Sequence, residues 1–526
     1  YLSQVVNDTN PSNQNGYTPL HSAAENNHLN IVEFVVPNLS DKNPEAGDYW
    51  NRITPMHRAA ENGHTEIVEF LVPLLGNETN PENSKGWTPL HEAARKGNLR
   101  IVQVIASTLD NINPKGFEGW TPMDYAAYYG HLDIVKWYTE VLEDPNPARI
   151  TNDEFNGRTP IHLAAQEGHY DIFVFLSQVV NDTNPSDQNG YTPLHLAAEN
   201  NHLNVVEFVV PNLSDKNPEA GDFWDRVTPL HQAAKNGHLT IVKYLAPLLN
   251  DSNPGDSTGW TPMDYAANYG QFIVVEWYAN SLDNPNPKQV SDDEYNGQTP
   301  LHLAADKGHL EIVKLLTGLL KNKNPSDDGG FTPLHAASSN GHLDVVEFLA
   351  EFLDNTNPPD VNGTTPMHFA AEYGHINVVK WYAEVLENPN PGQIRNDEFN
   401  GVTPMHLAAS NGHLDIVKFL AKILPDKNPS DDNGATPLHW AAISGHLDIV
   451  KYLTSLLEDK NPKSGLYWDE DTPLHVAADH GQLEVVKYLV QILPNNNPEN
   501  AKGKTPLDMA KAKGHQEIVN FLETLI

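Results

Sequence analysis

The sequence predicts an all-α solenoid of stacked helix pairs, and three observations lead there. A tetrapeptide of the form Thr-Pro-Leu-His, or a close variant, recurs along the whole chain. Its threonines are Thr18, Thr54, Thr88, Thr121, Thr159, Thr192, Thr228, Thr261, Thr299, Thr332, Thr365, Thr403, Thr436, Thr472 and Thr505, spaced 33 to 38 residues apart. Self-similarity at such a period marks a repeat array. Each unit also carries helix start and stop signals around an apolar stripe of helical spacing. Finally, 526 residues exceed one ordinary core, which stops growing near roughly 250–300 residues.

Residues 299–331 justify the elements in order. Thr299 stands where an N-cap belongs, and Pro300 follows at the first helical position, where no backbone donor is missed. Ala304 and Ala305 are small enough for close helix packing, and Gly308 sits where a C′ glycine ends a helix. Leu310, Ile312, Val313, Leu316 and Leu320 then give a second helix its apolar face. At Asn324–Pro325 a proline forbids continuation, so the second helix is expected to run on to that stop. The same Asn-Pro pair follows every second helix but the last, from Asn10–Pro11 to Asn497–Pro498. Neither helix can bury its apolar face alone, so neighbouring units must stack.

The period and the tetrapeptide resemble the ankyrin repeat, a β-turn followed by two helices. The resemblance implies an all-α ankyrin-repeat α-solenoid, with helix-turn-helix repeats joined by β-turn fingers. It also implies a non-enzymatic scaffold that binds other proteins through its concave face and finger loops. The expected organisation is the tail of an incomplete preceding repeat at 1–17, fourteen repeats over 18–504, and a C-terminal capping repeat at 505–526. Lys511 and Lys513 would give that last repeat a polar outer face. One departure from the family is the Asn-Pro stop; another is Asp124, Asp264 and Asp508 in place of the motif histidine.

Connector length varies with a pattern. From the Asn of Asn-Pro to the next motif threonine there are normally 8 residues, but 11 before Thr54, Thr228 and Thr472, and 13 before Thr159, Thr299 and Thr403. The longer fingers carry Tyr49–Trp50, Phe223–Trp224 and Tyr467–Trp468, or Phe155, Tyr295 and Phe399. Insertions in repeat proteins map to one face, often the binding face. Tyr125, Tyr265, Phe369 and Trp440 vary at the position after the motif's fourth residue and complete the candidate binding set. Two readings stand for these aromatics: packing beneath or against neighbouring fingers, or exposed anchors for a partner. The second-helix pairs Trp137–Tyr138, Trp277–Tyr278 and Trp381–Tyr382 face the same alternatives.

Composition narrows the partner. With 33 basic and 69 acidic residues the net charge is −36, which argues against nucleic acid and anionic membranes. A protein partner or further copies of the chain remain. Near-copied blocks, such as 2–48 against 176–222, suit a structural subunit that self-assembles into a filament or fibre. There is no cysteine, so no thiolate chemistry or disulfide, and no catalytic residue, cofactor, metal or small-molecule substrate is expected. No apolar run is long enough to span a bilayer. The expected location is soluble, either cytoplasmic or extracellular, the latter permitted by sequons at Asn7, Asn38, Asn77, Asn181, Asn212, Asn250 and Asn362. The 25 histidines invite a metal reading. Twelve are the motif's fourth residue, twelve open a second helix, and only His480 is left over. None shows the i, i+4 spacing of a helical zinc pair, so structural hydrogen bonding is expected. Fingers such as Ser326-Asp327-Asp328-Gly329 offer oxygens but not a full calcium loop.

Overall fold

The computed structural model describes residues 10–47, 52–116, 118–146, 157–220, 226–288, 297–392 and 401–525. Among them, α-helices follow one another in pairs from Pro19–Glu25 with Leu29–Val35 to Pro506–Lys513 with Gln516–Glu523. The only β-pairing among the described residues is an isolated bridge in each of two 11-residue connectors, Ala46 with Ile53 and Ala220 with Val227. The chain divides into two compact units, residues 1–257 and 258–526. Within each, first helices pack on first helices and second helices on second helices.

Threonine, proline and histidine start most first helices by one device. Thr299 is extended at φ −132°, ψ 163° and precedes the helix Pro300–Asp306. Its backbone N–H can only donate, and it points at His302 Nδ1 at 3.2 Å. Nδ1 is therefore unprotonated and also accepts from the Thr299 hydroxyl at 2.9 Å. The proton sits on Nε2, which donates to the Phe331 carbonyl of the next repeat at 3.1 Å. One imidazole thus caps its own helix and fastens the following finger. The second histidine class does the same at the other end: His342 Nε2 donates to the Asp306 carbonyl, 2.9 Å away in the preceding repeat. In the repeat where His480 stands two residues before the usual position, Gln482 occupies that position and its Nε2 reaches the Ile443 carbonyl at 2.8 Å. Where Asp replaces the motif histidine, Asp124 Oδ2 still accepts from Thr121 N–H and hydroxyl at 2.9 and 2.7 Å.

Between the helices lies one apolar layer per repeat. Leu301, Ala304, Ala305, Ile312, Val313 and Leu316 are each at most 2% exposed. Burying each large side chain stabilises by about 1.5–3 kcal/mol, and the alanine pair lets first helices approach closely.

The Asn-Pro pair does something other than stop the second helix. Leu310–Leu319 already ends there, with Leu320 extended at φ −84°, ψ 147°, well before Asn324. Leu320 lies just beyond the helix rather than on its apolar face. Asn324 instead turns its side chain to the next repeat, where Oδ1 accepts the Leu334 N–H at 3.0 Å. That N–H belongs to the first turn of a helix and has no intrahelical partner. The clamp survives every connector length: Asn217 reaches Leu230 across 13 residues and Asn286 reaches Leu301 across 15, both at 3.0 Å. Added finger residues therefore bulge outward without shifting the helix register. Asn324→Ala is expected to lower the urea midpoint, with a stability loss of about 1–2 kcal/mol for the stranded N–H. An unchanged midpoint would mean that water replaces the amide there.

Candidate functional site

Aromatic side chains gather where fingers meet first helices. In unit 1 the residue just before the motif threonine is Trp87 in one repeat and Trp120 in the next. Tyr125 lies between them, 4.7 Å from the Trp87 ring and 5.0 Å from the Trp120 ring. Tyr128 stands edge-on to Trp120 at 5.5 Å and to Tyr129 at 5.1 Å. One helical turn separates Tyr125 from Tyr129, whose ring stacks on it at 6.5 Å and is 46% exposed. Five rings thus form one braced surface, locked in place by their own contacts yet open on one side.

Unit 2 repeats the motif with different residues. Trp260 packs on Tyr265 at 5.4 Å, and Tyr269 is exposed one turn further on. Phe331 meets Phe369 edge-on at 5.5 Å. With Tyr373, Ser339 and Asn340 they line a pocket of about 300 Å³. Trp440 lies 6.3 Å from Trp468, behind a short 3-10 turn whose Leu466 and Tyr467 are 77% and 66% exposed.

The four residues expected on the first helices, Tyr125, Tyr265, Phe369 and Trp440, are all half-buried. Each packs against neighbouring rings and keeps part of its own ring accessible. Of the finger aromatics, Tyr467 is exposed and Trp468 half-buried. Tyr49, Trp50, Phe155, Phe223, Trp224, Tyr295 and Phe399 lie outside the described residues. In the second-helix pairs Tyr138, Tyr278 and Tyr382 are fully buried while Trp137, Trp277 and Trp381 are half-buried, and the Tyr382 hydroxyl meets Ser338 Oγ at 3.0 Å. Sequence reasoning missed Trp87, Trp120, Trp260 and Phe331 before the motif, and Tyr129, Tyr269 and Tyr373 one turn after Tyr125, Tyr265 and Phe369.

A family model for ankyrin repeats, three copies long, matches residues 1–76, 56–146, 138–220, 212–289, 275–355, 318–390, 382–464 and 454–523. The chain belongs to the ankyrin-repeat family. No curated protein matches it. Ankyrin repeats are generally protein-interaction modules, and the family is typically non-catalytic. Among the described residues no helix is long and apolar enough to cross a membrane.

The electrostatics of this ankyrin face follow from its burial. In unit 1 Arg95 lies over the Trp87 ring, 5.8 Å from its centroid. It donates to Glu92 at 2.8 and 3.0 Å and lies 3.6 Å from Glu61. Arg58 stands over Tyr17 at 5.6 Å and pairs with Glu61 at 2.9 Å. Burial pushes the Tyr125 hydroxyl up, helped by Tyr129, Glu118, Asp124 and Glu92. In unit 2 burial alone holds the Glu372 carboxyl above its usual range. Burial and the Glu372 charge together raise Tyr373. The ankyrin fingers keep their buried carboxylates for themselves. Asp327 Oδ1 accepts from Gly329 and Phe331 N–H at 2.9 and 2.8 Å, which closes the turn.

Proposed function

We propose that this ankyrin-repeat chain is a non-enzymatic scaffold that binds other proteins across the face made by its first helices and finger bases. The observation that supports it is the braced aromatic surface of Trp87, Trp120, Tyr125, Tyr128 and Tyr129, with its counterpart Phe331, Phe369 and Tyr373. Trp and Tyr dominate interface hot spots. They supply large contact area with few torsions to freeze, and here fewer still, because neighbouring rings already fix them. An exposed aromatic core of this kind has no structural use for its open side, since each repeat is closed by Leu, Val and Ala behind it.

The test is a polypeptide selected on the full chain from a random display library. Tyr129→Ala and Tyr373→Ala are expected to weaken selected binders at least tenfold, the scale of one hot-spot anchor, with unchanged circular dichroism. Phe352→Ser, at an exposed residue just beyond the second helix Leu343–Ala350, should leave affinity alone. Binders that respond to Phe352→Ser and ignore both tyrosines would overturn the assignment of the face.

A further inference from the structure

Unit 2 carries an apolar knob and an apolar hole that do not meet within the chain. The knob is a finger tip, Leu466 and Tyr467, the two most exposed large apolar side chains among the described residues at 77% and 66%. It is held stiffly. Asp469 and Glu470 both adopt left-handed backbone, at φ 53° and 56°, which residues other than glycine keep only where their surroundings hold them. Lys502 Nζ pairs with Asp469 Oδ2 at 2.6 Å, and Lys463 Nζ with Glu470 Oε2 at 2.7 Å. The Ala501 N–H donates to the Asp469 carbonyl at 2.7 Å, and Trp468 packs the tip against Trp440 of a first helix. The hole is the pocket of about 300 Å³ walled by Phe331, Phe369 and Tyr373, with Ser339 and Asn340 beside them. Among the described residues no charged side chain lines it. Asn340 Nδ2 already donates to Asp306 Oδ1 at 2.7 Å and to the Ala336 carbonyl at 3.2 Å. What that amide has left to offer is an acceptor, its Oδ1.

Resting on the reading of this face as a protein-binding one, we propose that Tyr467 of one copy seats in the Phe331–Phe369–Tyr373 pocket of a second copy, and reciprocally, in a two-fold pair. A phenol brings a ring for the aromatic walls and one O–H donor for the Asn340 acceptor. Charge favours a second copy at these two patches and nowhere broader. Chains of net charge −36 repel wherever bare carboxylates face each other. Here the pocket lining is uncharged, its neighbour Asp306 is paired with Lys307 at 2.9 Å, and Asp469 and Glu470 of the finger each have a lysine. Two copies can therefore touch at knob and hole without setting like charges together. Every copy bears both halves of the contact, so a two-fold axis satisfies both at once and closes the assembly, as in most homo-oligomers. A tip already fixed by its ion pairs loses little freedom on docking.

Size-exclusion chromatography with light scattering on the full chain reads the pair as a doubling of mass between about 1 and 100 μM, the range of small interfaces. Tyr467→Ser and Tyr373→Ala alter exposed side chains, so circular dichroism should be unchanged, and each variant is expected to stay monomeric over that range. Mixing the two variants separates a contact from a general loss. Neither pairs with itself, yet Tyr467 of the Tyr373→Ala chain can still enter the pocket of the Tyr467→Ser chain. The mixture is expected to pair, at least tenfold more weakly than the natural chain because one of two anchors is gone. Raising salt from about 0.1 to 1 M shortens screening from about 10 to 3 Å and should strengthen pairing, since it mutes the repulsion between two acidic chains. A natural chain that stays monomeric would overturn the proposal. So would masses growing past two copies, a mixture that stays monomeric, variants that pair as the natural chain does, or a pair that salt dissolves. The scaffold reading fails separately: library-selected binders that depend on Tyr373 of a chain that never pairs would keep that reading and remove the self-pairing.

Discussion

Acidification from pH 7 to pH 4.5 is expected to unfold the array in a steep transition, because the motif histidines are buried as neutral imidazoles. Burial holds His57, His91, His162, His195, His302, His335, His368 and His439 down to about 4, and His406 to about 3. The geometry gives a second reason. Nδ1, the atom that must gain the proton, already faces the Thr N–H, as at Thr299 and His302. An unfolded histidine titrates near 6.5. Above that pH neither state is protonated and the stability is fully present. As the pH falls through 6.5 toward 4 the unfolded chain takes up protons first, and stability is lost throughout that window. Each such histidine costs about 2 kcal/mol at pH 5, and several act together within each unit. A typical domain has only about 5–15 kcal/mol in hand. Asp327, Asp360 and Asp431 work in the opposite direction. Burial raises their carboxyls, so they contribute stability as the pH falls through their folded values, but they are fewer and less deeply buried. Far-UV circular dichroism melts at half-unit steps of pH would measure the balance. A melting temperature that stays flat between pH 7 and 4.5 would mean that the imidazoles are hydrated in solution.

The elements most legible in the sequence are those whose chemistry is local. Thr299, Pro300, His302 and Gly308 announce a helix start and stop within ten residues, and the structure uses each as the spacing predicts. Asn324–Pro325 was misread for a related reason. Proline's local effect suggests a stop, whereas the asparagine acts on Leu334 in the next repeat, and no short window contains both partners. The aromatic surface was half legible. Tyr125, Tyr265, Phe369 and Trp440 stand out because they vary at a fixed motif position. For Tyr125 and Phe369 the ring partners Trp87 and Phe331 lie 38 residues earlier in the chain, at the position before the preceding motif threonine. The available signal was the pairing itself: an aromatic before one motif with another after the next motif's fourth residue.

Gly308→Ala is expected to be the most damaging single-methyl addition in its repeat, and two companion glycines separate the causes. Gly308 adopts φ +73° after the helix Pro300–Asp306, and an added Cβ would lie 2.4 Å from His342 Nδ1. Alanine in the left-handed region costs about 1 kcal/mol. The methyl must also displace the imidazole whose Nε2 reaches back to the Asp306 carbonyl, putting a buried inter-repeat hydrogen bond at risk for about 1–3 kcal/mol more. The histidine has little room to retreat, since it opens the helix Leu343–Ala350. Gly514 has nearly the same backbone, φ +77°, but nothing within 4 Å of an added Cβ. Gly514→Ala therefore isolates the backbone term and should lose only about 1 kcal/mol. Gly318 lies inside the helix Leu310–Leu319 with open space around its Cβ position, so Gly318→Ala should stabilise by about 0.5–1 kcal/mol. Urea denaturation of the three variants, at equal slopes, gives the comparison. The ordering Gly318→Ala above the natural chain, then Gly514→Ala, then Gly308→Ala follows from the packing of one repeat's histidine on the previous repeat's turn. Equal losses at Gly308 and Gly514 would show that this histidine is loosely held and that the repeats are fastened by their apolar layers alone.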